Sequence, residues 1–177
     1  KFFEKNKKVL SHTRGAGYWL WKPYLILKTL NEIEFGDAVI YSDCGDMVYP
    51  EAFDYIKNNF NDGFFLQHHQ YTNRQYVKGD CFLLMRCWDD YYADANHLEA
   101  GFCGFIKTKK TIKFVKKWLK YCSNFEIVSD GNTHTTNFPG FIDHRHDQSI
   151  LSLLSILYKV KTNDIRKSEA FIKYNLL

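Results

Sequence analysis

Two carboxylates close a short apolar run in Asp37-Ala-Val-Ile-Tyr-Ser-Asp43-Cys-Gly45-Asp46. Ala38 to Tyr41 are apolar and rich in β-branching, which predicts a strand buried on both faces. Open α/β sheets bind ligands beyond the carboxyl ends of such strands. Asp43 and Asp46 would there offer oxygen ligands suited to Mg²⁺ or Mn²⁺ carrying a phosphorylated substrate. The competing reading makes both acids turn residues, with Gly45 supplying the bend.

Three more segments concentrate chemistry. In Arg14-Gly-Ala-Gly17-Tyr18-Trp19-Leu-Trp21-Lys22-Pro23, two glycines before a helix allow close backbone approach to a ligand, and a helix N-terminus favours anions. Arg14 and Lys22 add charge suited to a diphosphate. The alternative is a plain loop with both tryptophans in the core. In Glu99-Ala-Gly101-Phe-Cys-Gly104, an acid beside small residues leaves room for a substrate ring, unless the glycines serve only tight packing. In Asp143-His144-Arg-His146-Asp147-Gln148, the crowded side chains offer a metal ligand, a proton carrier and an amide. Asp147 alone would serve equally as a helix N-cap. The His68-His69 pair is a weaker metal signal, because neighbouring side chains on a strand face opposite ways.

The elements that must carry these groups follow from periodicity. Residues 1–10 read as a charged helix. Pro23 suits the first turn of a second helix with Ile26 and Leu30 on one face. Gly36-Asp37 turns into the strand that ends at Asp43. Pro50 and Glu51 open a helix with Phe53, Ile56 and Phe60 on one side. Residues 64–67 and 100–106 read as strands, 81–87 as a buried helix or strand, and 129–140 as a loop. Ile112, Val115, Trp118, Leu119 and Cys122 predict a helix over 109–122. Ile150, Leu153, Leu154 and Leu157 predict another that begins near Asp147. Strands alternating with helices predict an α/β layered domain.

At 177 residues the chain reads as one domain, with 45% hydrophobic and 25% charged residues, as in a soluble globular protein. A net charge of +4 without arginine-rich runs or a recognition motif argues against nucleic acid. The basic excess lies in two amphipathic stretches, 1–8 and 107–120, which solvated helix faces explain better than a membrane or polyanion surface. Five cysteines without CxxC spacing argue against a disulfide framework and for a reducing, cytoplasmic setting. No apolar run has the length of a transmembrane segment. The chain opens at Lys1, without Met, inside a charged helix, which reads as a fragment of a longer protein, and membrane association would come through the rest of that chain.

Taken in order, these segments resemble nucleotide-sugar glycosyltransferases of the GT-A fold, with a Rossmann-like mixed sheet flanked by helices. The small bacterial and viral enzymes of that group carry a Gly-Tyr-Trp-x-Trp-Lys-Pro block, matched here by Gly17 to Pro23. Tyr41-Ser-Asp43-Cys-Gly45 stands where they carry Tyr-x-Asp-Ala-Gly. Glu99-Ala-Gly101-Phe follows, and His144-Arg-His146-Asp147-Gln148-Ser-Ile-Leu-Ser-Leu-Leu154 closes the likeness, which spans residues 14–158. It implies a hexosyltransferase-like enzyme of polysaccharide biosynthesis, with a nucleotide-diphosphate sugar donor and a glycan or lipid-linked acceptor.

The resemblance also implies roles. Arg14, Gly17, Tyr18, Trp19, Lys22, Asp43 and Gly101 would line the donor, and Asp147, Gln148 and Glu99 would stand at the reacting sugar. Asp43 matches the first acid of the family's Asp-x-Asp metal motif, but Gly45 stands where the second belongs. The cation, Mn²⁺ or Mg²⁺, would then take Asp46, His144 or His146 instead. The likeness places a first strand and base-holding turn before Lys1. Two alternatives stand beside it: a sugar-binding or scaffold module without turnover, and a metal-dependent phosphoesterase using Asp43, Asp46 and a histidine.

Overall fold

The computed structural model describes residues 1–173, so the last four residues of the expected 1–177 domain lie outside it. Helices and a mixed sheet alternate along the chain. Short helices α1 (Phe2–Lys5), α2 (Lys7–Leu10) and α3 (Gly15–Tyr18) lead into α4 (Trp21–Glu32). Then come β1 (Ala38–Ser42), β2 (Met47–Val48), α5 (Ala52–Asn58) and β3 (Phe64–Thr72). Three short helices, α6 (Asn73–Tyr76), α7 (Gly79–Leu84) and α8 (Asp90–Ala93), precede β4 (Asn96–Ile106). The chain continues through α9 (Lys109–Cys122), α10 (Phe125–Val128), α11 (Asp147–Leu157), β5 (Asn163–Asp164) and β6 (Ile172–Lys173).

The main sheet has the order β1-β4-β3-β5, antiparallel except for the β3–β5 pair, and β2 pairs with β6. The two-faced burial that sequence assigned to β1 belongs instead to β3 and β4. Phe64, Leu66, Ala100, Cys103 and Phe105 enter the larger core with Trp118 and the apolar side of α11. Phe65 and Phe102 point the other way, into a smaller cluster with Ala52, Ile56 and Ile172. Alternation along a pleated strand sends successive residues to opposite faces, and here both faces are covered. By contrast β1 is an edge strand, exposed at Ala38 and half-buried thereafter. A four-residue apolar run carries no information about sheet position, so the expected central strand is a correction.

Helix α9 has the predicted bounds. Thr108 and Thr111 form a capping box at its start, and Phe114, Val115, Trp118 and Cys122 fill its buried face. The predicted helix over 1–10 breaks at Asn6, whose φ of −115° separates α1 from α2. Phe53 is 65% exposed, so α5 buries only Ala52 and Ile56 and not the predicted Phe53 side. Residues 79–84 resolve the ambiguous 81–87 segment as helix.

Candidate functional site

Between its partners, β4 departs from regular pairing. Phe65 faces Gly104, yet Gln67 faces Glu99, so one residue of β3 spans what four residues of β4 span. Such a bulge takes backbone groups out of the ladder and re-aims side chains. The Ala100 peptide loses its strand partners there and finds others. Its carbonyl accepts from Lys22 Nζ at 3.1 Å, and its N–H donates to Gln148 Oε1 at 3.2 Å. Gln148 stands in the first turn of α11 and Lys22 in the first turn of α4, so two helix starts meet at one distorted strand.

The Lys22 ammonium is buried among acids. It lies 3.6 Å from Asp43 Oδ1 and 3.5 Å from Asp147 Oδ2, and its side chain is 4% exposed. Burial lowers its pKa, but Asp147 and Asp43 outweigh that and the net shift is upward, so the lysine stays charged. Asp43 follows the last residue of β1; Tyr41 Oη donates to its Oδ1 at 2.5 Å. Glu99 takes a 2.8 Å hydrogen bond from His69 Nε2 and another from the Gly101 N–H. Burial pushes the Glu99 pKa up, yet these donors hold it below the usual carboxylate range.

Asp147 behaves oppositely. It is buried, Lys22 is its one cationic neighbour, and its pKa is pushed up to about 6, by burial first and by Asp43 against the attraction of Lys22. Environments that drive two acids apart in this way separate proton-accepting from permanently ionised roles. Trp118 Nε1 fixes the start of α11 by donating to the Asp147 carbonyl at 2.9 Å. The N-cap position of α11 is His146, and Asp147 is the first helical residue with its side chain on Lys22. The capping role open to Asp147 from sequence is therefore not the one it fills.

The segment before Lys22 is the most strained in the described chain. Gly15, Ala16, Gly17, Tyr18 and Trp19 all have positive φ, between 48° and 94°, and the Tyr18 and Trp19 amides bond back to the Arg14 and Gly15 carbonyls. This is one turn of left-handed helix. The three residues other than glycine cost roughly 3–6 kcal/mol together. Offsetting contacts are visible: Tyr18 and Trp19 both stack on the His146 ring, and Trp21 Nε1 donates to the Gly15 carbonyl at 3.0 Å. This packing itself requires the glycines. A Cβ on Gly15 would meet the Trp19 ring at 2.2 Å, and one on Gly17 would meet the Leu10 backbone at 2.7 Å. The turn leaves Trp19 and Trp21 half-buried, with Trp19 on His146 and Trp21 against Tyr41, the partner of Asp43.

Arg14 lies outside the cluster. It bridges Asp130 and Asp143 at 2.8 and 2.7 Å and ties the 129–143 loop to the left-handed turn. Gly101 is not an open floor for a sugar ring either. A Cβ there would stand 2.8 Å from Glu99 Oε1 and 2.9 Å from Asp43 Oδ2, so the missing side chain makes room for two converging carboxylates.

The histidines are committed elsewhere. His144 accepts from the Lys78 N–H at Nδ1 and donates from Nε2 to the Ile127 carbonyl. His146 donates from Nδ1 to the Val128 carbonyl at 2.7 Å, and its Nε2 faces Asp130 at 3.5 Å. Burial lowers the pKa of both, which keeps them neutral. Neither faces Asp43, and this corrects their reading as ligands to a cation held there. Among the described residues, no three His, Cys, Asp or Glu side chains form a metal cage. Asp43 and Asp46 lie in one tight turn, with the Asp46 N–H donating to the Asp43 carbonyl. That donor set fits a hard cation arriving with substrate phosphates, since Mg²⁺ is commonly held by one or two carboxylates and its substrate.

Comparison with protein families, curated proteins and solved structures returned no match for this chain. The site therefore rests on its own geometry. Asp43, Glu99, Asp147, Gln148 and Lys22, up to 126 positions apart in the chain, meet at the β4 bulge. Sequence reasoning passed over Tyr41 and weighed His69 only as a weak metal ligand, not as the partner of Glu99. Tyr41 stands two positions before Asp43, so strand alternation puts both on one face. His69 had no such signal, because its partner Glu99 lies 30 residues away across the β3–β4 pair.

Proposed function

We propose that the chain is a glycosyltransferase that moves a sugar from a nucleotide-diphosphate donor to a hydroxyl acceptor on a glycan or lipid-linked chain. The observation that carries this reading is the convergence of Asp43, Glu99 and Asp147 around a single buried ammonium, Lys22. Three acids against one lysine make the cluster rich in carboxylate in a poorly solvated place. Such a field favours an electron-poor carbon, as develops when a glycosyl–phosphate bond breaks. It disfavours a bare diphosphate, so Lys22 is a charge balance within the cluster and not the phosphate contact that its position beside Pro23 first implied.

Asp147 is mostly ionised near neutral pH and sits close enough to its pKa to accept a proton. In the proposed step it takes the proton of the acceptor hydroxyl while that oxygen bonds to the anomeric carbon and the diphosphate leaves. Its charge also stabilises the ring carbon as the leaving group departs. Glu99, held ionised by His69, lies across Lys22 and contributes field without exchanging protons. Trp21, against Tyr41, offers an aromatic face for a sugar ring beside the acids. A divalent cation, where bound, would be held by Asp43 and Asp46 and would neutralise the leaving diphosphate.

Titration calorimetry with a panel of nucleotide-diphosphate sugars, with and without Mn²⁺, tests the reading. Binding of at least one donor, strengthened by the cation and lost in Asp43→Asn, is expected. Heat from no donor, or hydrolysis of simple phosphoesters that contain no sugar, would remove it.

A further inference from the structure

A strongly charged face lies away from the carboxylate cluster and is not used by it. Helix α9 carries six lysines and no acid. Lys109, Lys113, Lys116 and Lys120 recur at helical spacing and are exposed, on the side opposite the buried Trp118. Only Lys110 of the six forms an ion pair among the described residues, with Asp62.

Beside this stripe stand α1 and α2, with exposed Lys5, Lys7 and Lys8. Between the two groups run adjoining clefts, the first with an apolar floor and the second mostly polar. One, of about 370 Å³, has Lys5, Lys116 and Lys120 around Phe2 and Leu119. The other, of about 340 Å³, has Lys5 and Lys8 beside Phe125 and Val9. Its one acid, Glu126, lies 3.3 Å from His134. Phe3, 49% exposed, stands next to Phe2 on α1.

We infer that this face docks on an anionic lipid bilayer. Lysine ammoniums are compact, hydrated charges without the fork that reads phosphates in a fixed geometry. A headgroup layer asks for no fixed geometry, because its charges move laterally to meet the protein. Clusters of four to eight such residues are the usual footprint of acidic-lipid binding. The apolar floor of the first cleft and an exposed phenylalanine on α1 suit the boundary between headgroups and acyl chains. A nucleic acid would instead call for an array of stacking aromatics or arginines at base edges, and α1, α2 and α9 carry lysines without an arginine.

Vesicle co-sedimentation tests the proposal on the full chain. Phosphatidylcholine vesicles are compared with vesicles in which about a third of the lipid is phosphatidylglycerol. The expected result is partition into the anionic vesicles only, reversed by raising salt. Each lysine near the surface contributes roughly a fivefold factor, so removing two charges should cost about 25-fold and reversing them in K116E/K120E should weaken partition by more than that. These side chains are exposed, and circular dichroism would confirm that the reversed protein keeps its fold. K109Q/K113Q, which removes charge without reversing it, should give an intermediate loss. No partition into anionic vesicles, an unchanged constant in both variants, or retention on a soluble polyanion such as heparin without vesicle binding would overturn the proposal.

Discussion

Asp147 is where burial and charge oppose each other most directly. Its proton leaves near pH 6 in the folded chain and near about 3.9 in the unfolded one. The folded state therefore holds the proton more tightly, and ionising Asp147 costs stability. The penalty is absent below about pH 4, grows as the pH rises and is complete above pH 6, with a size on the order of 2–3 kcal/mol. Asp147→Asn has no such proton. The stability of the native protein minus that of the Asn variant should fall by this amount between acid and neutral pH, measured by denaturant unfolding. A flat difference across that range would show that Asp147 is not held in the environment described.

The same scale shows what residue types alone disclose. Paired acids at a strand end and an Asp-Gln step at a helix start are visible from residue type, although turns and caps favour the same acids. The commitment of His144 and His146 to the Ile127 and Val128 carbonyls was not visible. Those partners are backbone atoms of a helix 17 or 18 residues away, and no side-chain pattern announces them.

At the scale of elements, the left-handed turn of 15–19 holds strain that should be adjustable. Ala16 is exposed with φ of 48° and its side chain stacks on neither His146 nor Trp21. Ala16→Gly should stabilise the protein by about 1 kcal/mol, since glycine adopts that conformation without a Cβ penalty. Gly17→Ala should destabilise it, because the new Cβ meets the Leu10 backbone and not a movable side-chain end. Thermal unfolding of the two variants measures both, and equal shifts of one sign would contradict the turn. Helix α9 was legible because its apolar residues keep helical spacing over fourteen residues, and the structure adds a capping box at its start. The left-handed turn was not, since Gly-Ala-Gly reads as a loop when only local propensity is considered. The edge position of β1 was hidden for another reason: pairing order is set by which strands find cover on both faces, a property of the whole sheet.

At the scale of the whole molecule, all five cysteines are free, and only Cys44 is exposed. Burial pushes the thiol pKa of Cys81, Cys87, Cys103 and Cys122 up, with Cys87 at about 12, so these four are protonated and shielded. Iodoacetamide should label Cys44 alone in the folded protein and all five in denaturant, as read by intact mass. Rapid labelling of a second cysteine under native conditions would mean a looser core than the one described. The two cores on either side of β3 and β4 converge on the same bulge that aims Glu99 and Gly101 at Lys22, so packing and site share one distorted strand.

The central claim is that the acids around Lys22 transfer a sugar. Release of nucleoside diphosphate from a panel of nucleotide-diphosphate sugars, in the presence of Mn²⁺ and a hydroxyl acceptor, tests it most directly. The native protein should turn over at least one donor, and Asp147→Asn should lose two or more orders of magnitude, roughly, while keeping its fold. No release from any donor, or an equal rate in the folded Asn variant, would contradict the account.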